Sequence, residues 1–189
     1  VFSNLPFLLT GLYGLSRRRR IEPRCAVAYT VLCAGVLLVS LGSAYYHWSP
    51  STATLLWDRL PMTVAFMALF SMLLEERVVE SSRTLYPLLL AGVASAVYWY
   101  WTETRGAGDL RPYLLVQFLP ILLLPLILAM FPSKYLSNKM LAGALLLYCT
   151  AKVFEHYDRS VLESISIMSG HTIKHLLAGA STLCIILSV

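Results

Sequence analysis

Twenty consecutive residues, Pro112 to Phe131 (PYLLVQFLPILLLPLILAMF), carry no charge. An α-helix needs about that length to cross the hydrocarbon core of a bilayer. Six further apolar segments can be placed at roughly 1–15, 25–47, 57–74, 85–101, 139–156 and 170–189. In lipid every backbone polar group has to be satisfied within the segment, so these stretches are expected to be helices. None alternates polar and apolar residues as a barrel strand does. The expected fold class is therefore all-α: a polytopic membrane protein with seven transmembrane helices in one bundle, forming a single domain over residues 1–189. Composition agrees, with 58% hydrophobic and only 13% charged residues, where a soluble domain carries about a quarter charged. Seven helices leave short loops and no room for a soluble domain. Pro120 and Pro125 are expected to kink the fifth helix, and Pro61 to lie near the first turn of the third, where proline is least disruptive.

The formal charge of +5 rests largely on Arg17, Arg18, Arg19, Arg20 and Arg24. A basic run can mark nucleic-acid binding, but between two apolar segments it reads as a topology signal facing anionic lipid. Nine Lys and Arg fall in the first, third and fifth loops and five in or near the second, fourth and sixth. The excess places the odd loops and the C-terminus in the cytoplasm and the N-terminus outside. Tyr98, Trp99, Tyr100 and Trp101 form an aromatic belt where the fourth helix leaves the membrane. The four cysteines lie in apolar stretches without close spacing and read as small buried hydrophobes. The chain opens on Val1 and directly into an apolar run, so the natural N-terminus is expected to lie upstream.

Against this apolar background, five polar residues stand out: Ser43 and His47, a lone Asp58, and His171 and His175. Four-residue spacing puts each pair on one face of its helix. Ser43 and His47 end the second helix, Asp58 opens the third, and His171 and His175 open the seventh. Helix parity brings all five to similar depth at the outer face. Ionisable groups inside membrane helices are costly to bury and are functional candidates by default. Three histidines suit a divalent metal, and a three-ligand site keeps one coordination position open. Each residue also has a plainer reading. A membrane histidine can be a packed, hydrogen-bonded side chain; Asp58 can cap the third helix; Ser43 can be a small residue that lets helices approach.

The stretches LGSAYYHWSPSTATLLWDRLPMTVAFM, GDLRPYLLVQFLP and SGHTIKHLLAG resemble the bacterial branch of the alkaline ceramidase family. That family is part of a superfamily of seven-helix membrane hydrolases that includes the progestin and adiponectin receptors. The resemblance spans essentially the whole chain, from FSNLPFLL onward. The superfamily pattern is a Ser and a His four apart, an Asp, and His-x-x-x-His. It falls on Ser43, His47, Asp58, His171 and His175. It implies a catalytic zinc held by His47, His171 and His175, amide hydrolysis of ceramide or a related N-acyl lipid, and residence in a bacterial inner membrane. Asp58 would then move the proton between water and leaving amine, and Ser43 would donate a hydrogen bond to the developing oxyanion or orient the water. In eukaryotic ceramidases a calcium site forms ahead of the first helix; its residues would precede Val1.

Two neighbours of the site carry alternatives. Lys174 can snorkel to the interface or take part in catalysis. His156 can be a fourth ligand, or belong to a solvated helix end in which Glu155 pairs with Arg159. A fourth ligand would favour the competing reading, a seven-helix receptor or sensor with a structural zinc. A retinal-type pump built on Lys174 would leave the histidine pair unexplained. A transporter would favour repeats or broken helices, and neither is evident.

Overall fold

A computed structural model describes residues 2–79, 81 and 83–189. Val1, Glu80 and Ser82, which fall in the expected first segment and the charged 75–83 stretch, lie outside the described residues, as does the side chain of Ile165. Every apolar segment read from the sequence forms a helix: α1 (Leu5–Arg17), α2 (Ala26–Trp48), α3 (Thr52–Arg77), α4 (Leu85–Glu103), α5 (Arg111–Met130), α6 (Asn138–His156) and α8 (Gly170–Leu187). An additional helix, α7 (Asp158–Ile165), lies between the last two. At eight residues it is about 12 Å long, too short to span a bilayer. No strand occurs among the described residues.

The third helix departs most from expectation. It starts at Thr52 rather than near 57 because Ser51 and Thr54 form a capping box: each side chain accepts the other's backbone N–H, at 3.1 and 2.9 Å. Asp58 therefore lies in the second turn and does not cap the helix. Pro61 is inside the helix rather than in its first turn. At the far end α3 runs on to Arg77, so three residues expected in a charged loop, Glu75, Glu76 and Arg77, are helical and buried.

The helices pack in a ring. α2 lies along α3, α1 bridges α2 and α8, α8 lies along α6, and α4 and α5 flank α3. α5 and α6 barely touch, which leaves one loose seam. The largest core cluster joins Cys25, just ahead of α2, with Tyr29 and Cys33 of α2, Met72 and Leu73 of α3, and Ile186 of α8, among others. These sit toward the helix ends remote from the histidines, so the bundle is tightest away from the candidate site. On the outside the polarity is inverted: Leu90, Leu122 and Leu146, mid-helix on α4, α5 and α6, are 72%, 69% and 69% exposed. Such a surface belongs in an apolar solvent. Among the described residues three helices, α2, α3 and α5, are long and apolar enough, by length and composition, to cross a membrane. All four cysteines are free, with Cys25 and Cys33 buried.

Candidate metal centre

The site is assembled where α2, α3 and α8 meet. The chain reverses between α2 and α3 through Ser49, Pro50 and Ser51. Nearly two turns before the end of α2, Gly42 lies against α3 so closely that a Cβ there would overlap the Trp57 carbonyl. That approach brings the buried Ser43 beside Asp58. One turn further along α2, His47 points at the start of α8.

The start of α8 is held from three directions. Ser169 caps it by accepting the Thr172 N–H at 3.2 Å. The Asp158 carboxylate, from α7, accepts the His171 N–H at 2.6 Å. Gly170 fits beneath the Phe154 carbonyl and Asp158, where a Cβ would collide with both. This packing turns His171 and His175 toward His47.

The His171 Nε2 atom lies 3.1 Å from His47 Nε2 and 2.9 Å from His175 Nε2. One nitrogen from each of the three side chains falls within 4.8 Å of the others. The rings meet at steep angles, 78° for His47–His171 and 65° for His47–His175, so they converge rather than stack. A neutral imidazole nitrogen carries either one proton or one lone pair. Three such nitrogens facing one another cannot all be well satisfied by hydrogen bonds, whereas one cation accepts all three lone pairs. Two nitrogens bound ~2.05 Å from one zinc at a tetrahedral angle lie about 3.3 Å apart, close to what is seen. The donor set fits a zinc ion.

Around the histidines, Lys174 donates to Glu155 Oε1 at 2.9 Å, and Lys152 binds the other oxygen of the same carboxylate. Lys174 is thus tied to α6 rather than free to snorkel. Glu155 does not pair with Arg159, which bonds Glu163 at 2.9 Å instead. The cause is tertiary: Lys174, on the neighbouring helix, competes successfully with the local partner. His156 is exposed, packs on Tyr157 and stands outside the histidine group. Phe7 of α1 presses edge-on against the His175 ring, with centroids 6.0 Å apart.

The profile of the protein family described as Ceramidase matches residues 1–189, the whole chain. The chain belongs to the alkaline ceramidase family. No curated protein matches it. As a ceramidase-family protein it is a membrane amidohydrolase with a lipid substrate.

All five residues singled out in the ceramidase pattern lie at one end of the bundle: the three histidines face one another, and Ser43 meets Asp58 one turn away. Lys174 is within electrostatic reach of both groups. Sequence reasoning missed two features. Asp158 belongs to no motif in the sequence, yet it anchors the backbone of His171. Arg59 was counted only as a loop charge. It is instead stacked over Trp99 of the aromatic belt, and Trp99 is buried while Tyr98 and Trp101 remain exposed. The Asp58-Arg59 dipeptide in the second turn of α3 is the available signal. Beyond α4, hydrogen bonds from Arg111 hold the Asp109 carboxyl down to about 2, so this loop carboxylate is engaged locally.

Proposed function

We propose that this chain is a zinc-dependent intramembrane amide hydrolase acting on ceramide or a related N-acyl lipid, releasing a fatty acid and an amine base. The observation that carries the reading is the convergence of His47, His171 and His175 beside the Ser43–Asp58 pair, in a family of lipid amidohydrolases. When bound, zinc supplies a Lewis acid for the amide carbonyl and lowers the pKa of water toward ~7. The protein does the rest. Asp58 accepts the proton of the attacking water on its carboxylate and delivers it to the nitrogen as the C–N bond breaks. Ser43, buried beside Asp58, has one O–H to give, and it turns to the carbonyl oxygen as negative charge develops there. The Lys174–Glu155–Lys152 set holds α6 and α8 together at the depth of the histidines. An apolar cavity lined by residues such as Phe66, Leu69, Pro120, Leu124, Leu145 and Ile185 lies between α3, α5, α6 and α8. It opens a place for a hydrocarbon chain near the loose α5–α6 seam.

The receptor reading requires a fourth protein ligand. His156, the only other histidine in the chain, is exposed and apart from the cluster. That supports an open coordination position and hence the hydrolase. The deciding experiment is metal analysis of the purified protein together with amide hydrolysis of a panel of N-acyl lipids. Zinc near one per chain with hydrolysis supports the proposal; metal-free or inert protein ends it.

The reading also takes α1 to α6 and α8 as seven spans of one domain in a bacterial inner membrane, with the N-terminus and the histidine site outside. Single cysteines in a cysteine-free variant test it with an impermeant thiol reagent on intact cells. Label at position 51, and none at position 81 until the cells are opened, supports this orientation. The reverse pattern sinks it and leaves the metal assignment untouched.

A further inference from the structure

The end of the bundle remote from the histidines carries an open groove of about 520 Å³. Tyr13, Ser16, Arg17 and Arg20 line it from α1 and the 3₁₀ turn that follows, Met140 from the start of α6 and Leu187 from the end of α8. Spacings of three, four and seven put the first four on one helical face. α1 and α6 both pack on α8 and hardly touch each other, so α8 forms the floor of the groove. Its mouth is basic. Arg18 and Arg19 adjoin it and Lys139 precedes Met140, while Glu22 is the only acidic side chain before Asp58. α8 contains no acidic residue, and α6 none before Glu155. Arg17 leans over the Tyr13 ring, 5.7 Å from its centre, and donates one long hydrogen bond, 3.5 Å, to the Val189 carbonyl. The Arg20 guanidinium has no hydrogen bond or ion pair among the described residues. By contrast, Arg77 spends its donors on Phe131, Leu136 and Asn138. Toward the middle of the bundle the strip turns apolar. Leu9 of α1 and Leu183 of α8 continue the lines of Tyr13 and Leu187 at four-residue spacing, and they are 58% and 37% exposed. Gly143 follows Met140 by about one turn of α6, and a Cβ there would meet nothing within 4 Å.

We propose that this groove binds an anionic phospholipid of the bilayer, with its phosphate between Arg17 and Arg20 and one acyl chain laid along Leu9, Leu183 and Gly143. The charge excess that sets topology needs no shape, because any basic loop near anionic lipid satisfies it. A groove with a basic mouth and an apolar continuation asks for an amphiphile. A phosphate offers enough acceptor oxygens for both guanidinium forks, and the chain covers leucine surface already turned to lipid. A zwitterionic phospholipid brings an ammonium group to the same mouth, where the surrounding arginines repel it. A free phosphate ester would gain the mouth alone. Leu187 is twelve residues beyond His175 on α8, about 18 Å along the helix axis. A lipid head there stands clear of the candidate metal centre, so the inference does not depend on the hydrolase reading.

The test counts lipid bound to the purified full chain in detergent by native mass spectrometry, with dioleoyl phosphatidylglycerol against dioleoyl phosphatidylcholine. The wild type is expected to bind phosphatidylglycerol about tenfold to a hundredfold more tightly, the scale of hydrogen bonds to a charged group. The double change Arg17→Gln, Arg20→Gln should abolish that preference. The double change Arg18→Gln, Arg19→Gln removes the same charge from side chains that do not line the groove, and should keep it. Arg20→Gln alone breaks no bond within the protein; it should cost part of the preference, and it serves if the first double variant does not fold. Glycerol 3-phosphate, which has the phosphate without the chains, should fail to compete at concentrations where the lipid saturates. Equal affinity for the two lipids in the wild type overturns the inference. So does an equal loss in the two double variants, since diffuse charge would then hold the lipid. Effective competition by glycerol 3-phosphate would also overturn it, leaving an anion site in place of a lipid site. Hydrolysis is not read, so failure of the hydrolase reading leaves each of these outcomes as it stands.

Discussion

The two ends of α3 hold buried charge in opposite ways. At one end Glu75, Glu76 and Arg77 are 2%, 0% and 6% exposed, and the protein engages all three. Glu75 accepts from the Ser71 and Thr84 hydroxyls at 2.9 and 2.7 Å. Glu76 accepts the backbone N–H groups of Lys134, Tyr135 and Leu136 and pairs with Arg77 at 2.5 Å. Arg77 in turn reaches Asn138 at 2.7 Å and two carbonyls. At the other end, near Asp58, three imidazole nitrogens face one another, His175 Nδ1 is buried without a partner, and so is Arg59 Nη1. Leaving buried polar groups unsatisfied costs free energy, so a protein that keeps them so has a use for them. At the first end the two enclosed atoms without a hydrogen bond, Glu76 Oε2 and Arg77 Nε, face each other as an ion pair, so that end is compensated within the protein and clamps the loop between α5 and α6. At the histidine end the unpartnered atoms join no ion pair among the described residues and leave capacity for a ligand.

This contrast can be broken from either side. The largest effect is expected from His175→Ala, which should remove most of the zinc and with it nearly all hydrolysis, while the metal-free protein unfolds much like metal-free wild type. Full zinc in the variant by elemental analysis would mean the ligand set is wrong. Next, Asp58→Asn should keep zinc and lower kcat by about 10²–10⁴-fold if the carboxylate moves the proton. Ser43→Ala should cost ~10²-fold on the scale of a lost oxyanion donor. Unchanged kcat in Asp58→Asn would reduce this residue to packing.

The opposite end should respond in stability instead. Glu76→Ala leaves Arg77 buried without its counter-ion and three backbone donors without an acceptor. Breaking a buried pair in this way costs about 3–5 kcal/mol, read as a shift in reversible unfolding in detergent. Zinc bound per folded molecule should stay at the wild-type level. Loss of zinc at unchanged stability would erase the distinction between the two ends.

What could be read from the chain beforehand follows the same divide. His171 and His175 share a face by spacing alone, and helix parity brings His47 and Asp58 to their depth, so the convergence was legible. The reach of α3 at both ends was not. Its start depends on a capping box inside a Ser- and Thr-rich turn, and its finish on burying Glu75, Glu76 and Arg77, which look like a solvated loop until the α5–α6 connection is folded over them. The partner of Glu155 was misread for the same reason: Arg159 is the sequence neighbour, but Lys174 is the spatial one. The aromatic cage of Arg59 is built from α4 and α5, 40 and 54 positions away in the chain, and no periodicity reports such a contact. Spacing within one helix is visible in a sequence; a partner on another helix is not.

Ser51 sharpens the comparison because it separates saturation from position. It lies seven residues before Asp58, at the candidate-site end. Yet its hydroxyl is engaged with Thr54, and the Thr54 hydroxyl also bonds the Ser49 carbonyl at 2.7 Å. If nearness to the histidines decided function, Ser51→Ala would lower catalysis. If saturation marks an architectural residue, the change should behave as a small version of Glu76→Ala. The second outcome is expected: a loss of about 1 kcal/mol, the usual cost of removing an N-cap, with zinc content and kcat per folded molecule kept. Removing the cap frays the first turn of α3, but Asp58 sits in the second turn, where Gly42 holds α2 against Trp57. A fall in kcat comparable to that of Ser43→Ala, at unchanged stability, would show that the reversal between α2 and α3 positions the reacting groups directly, and that the unsatisfied donors do not by themselves delimit the site.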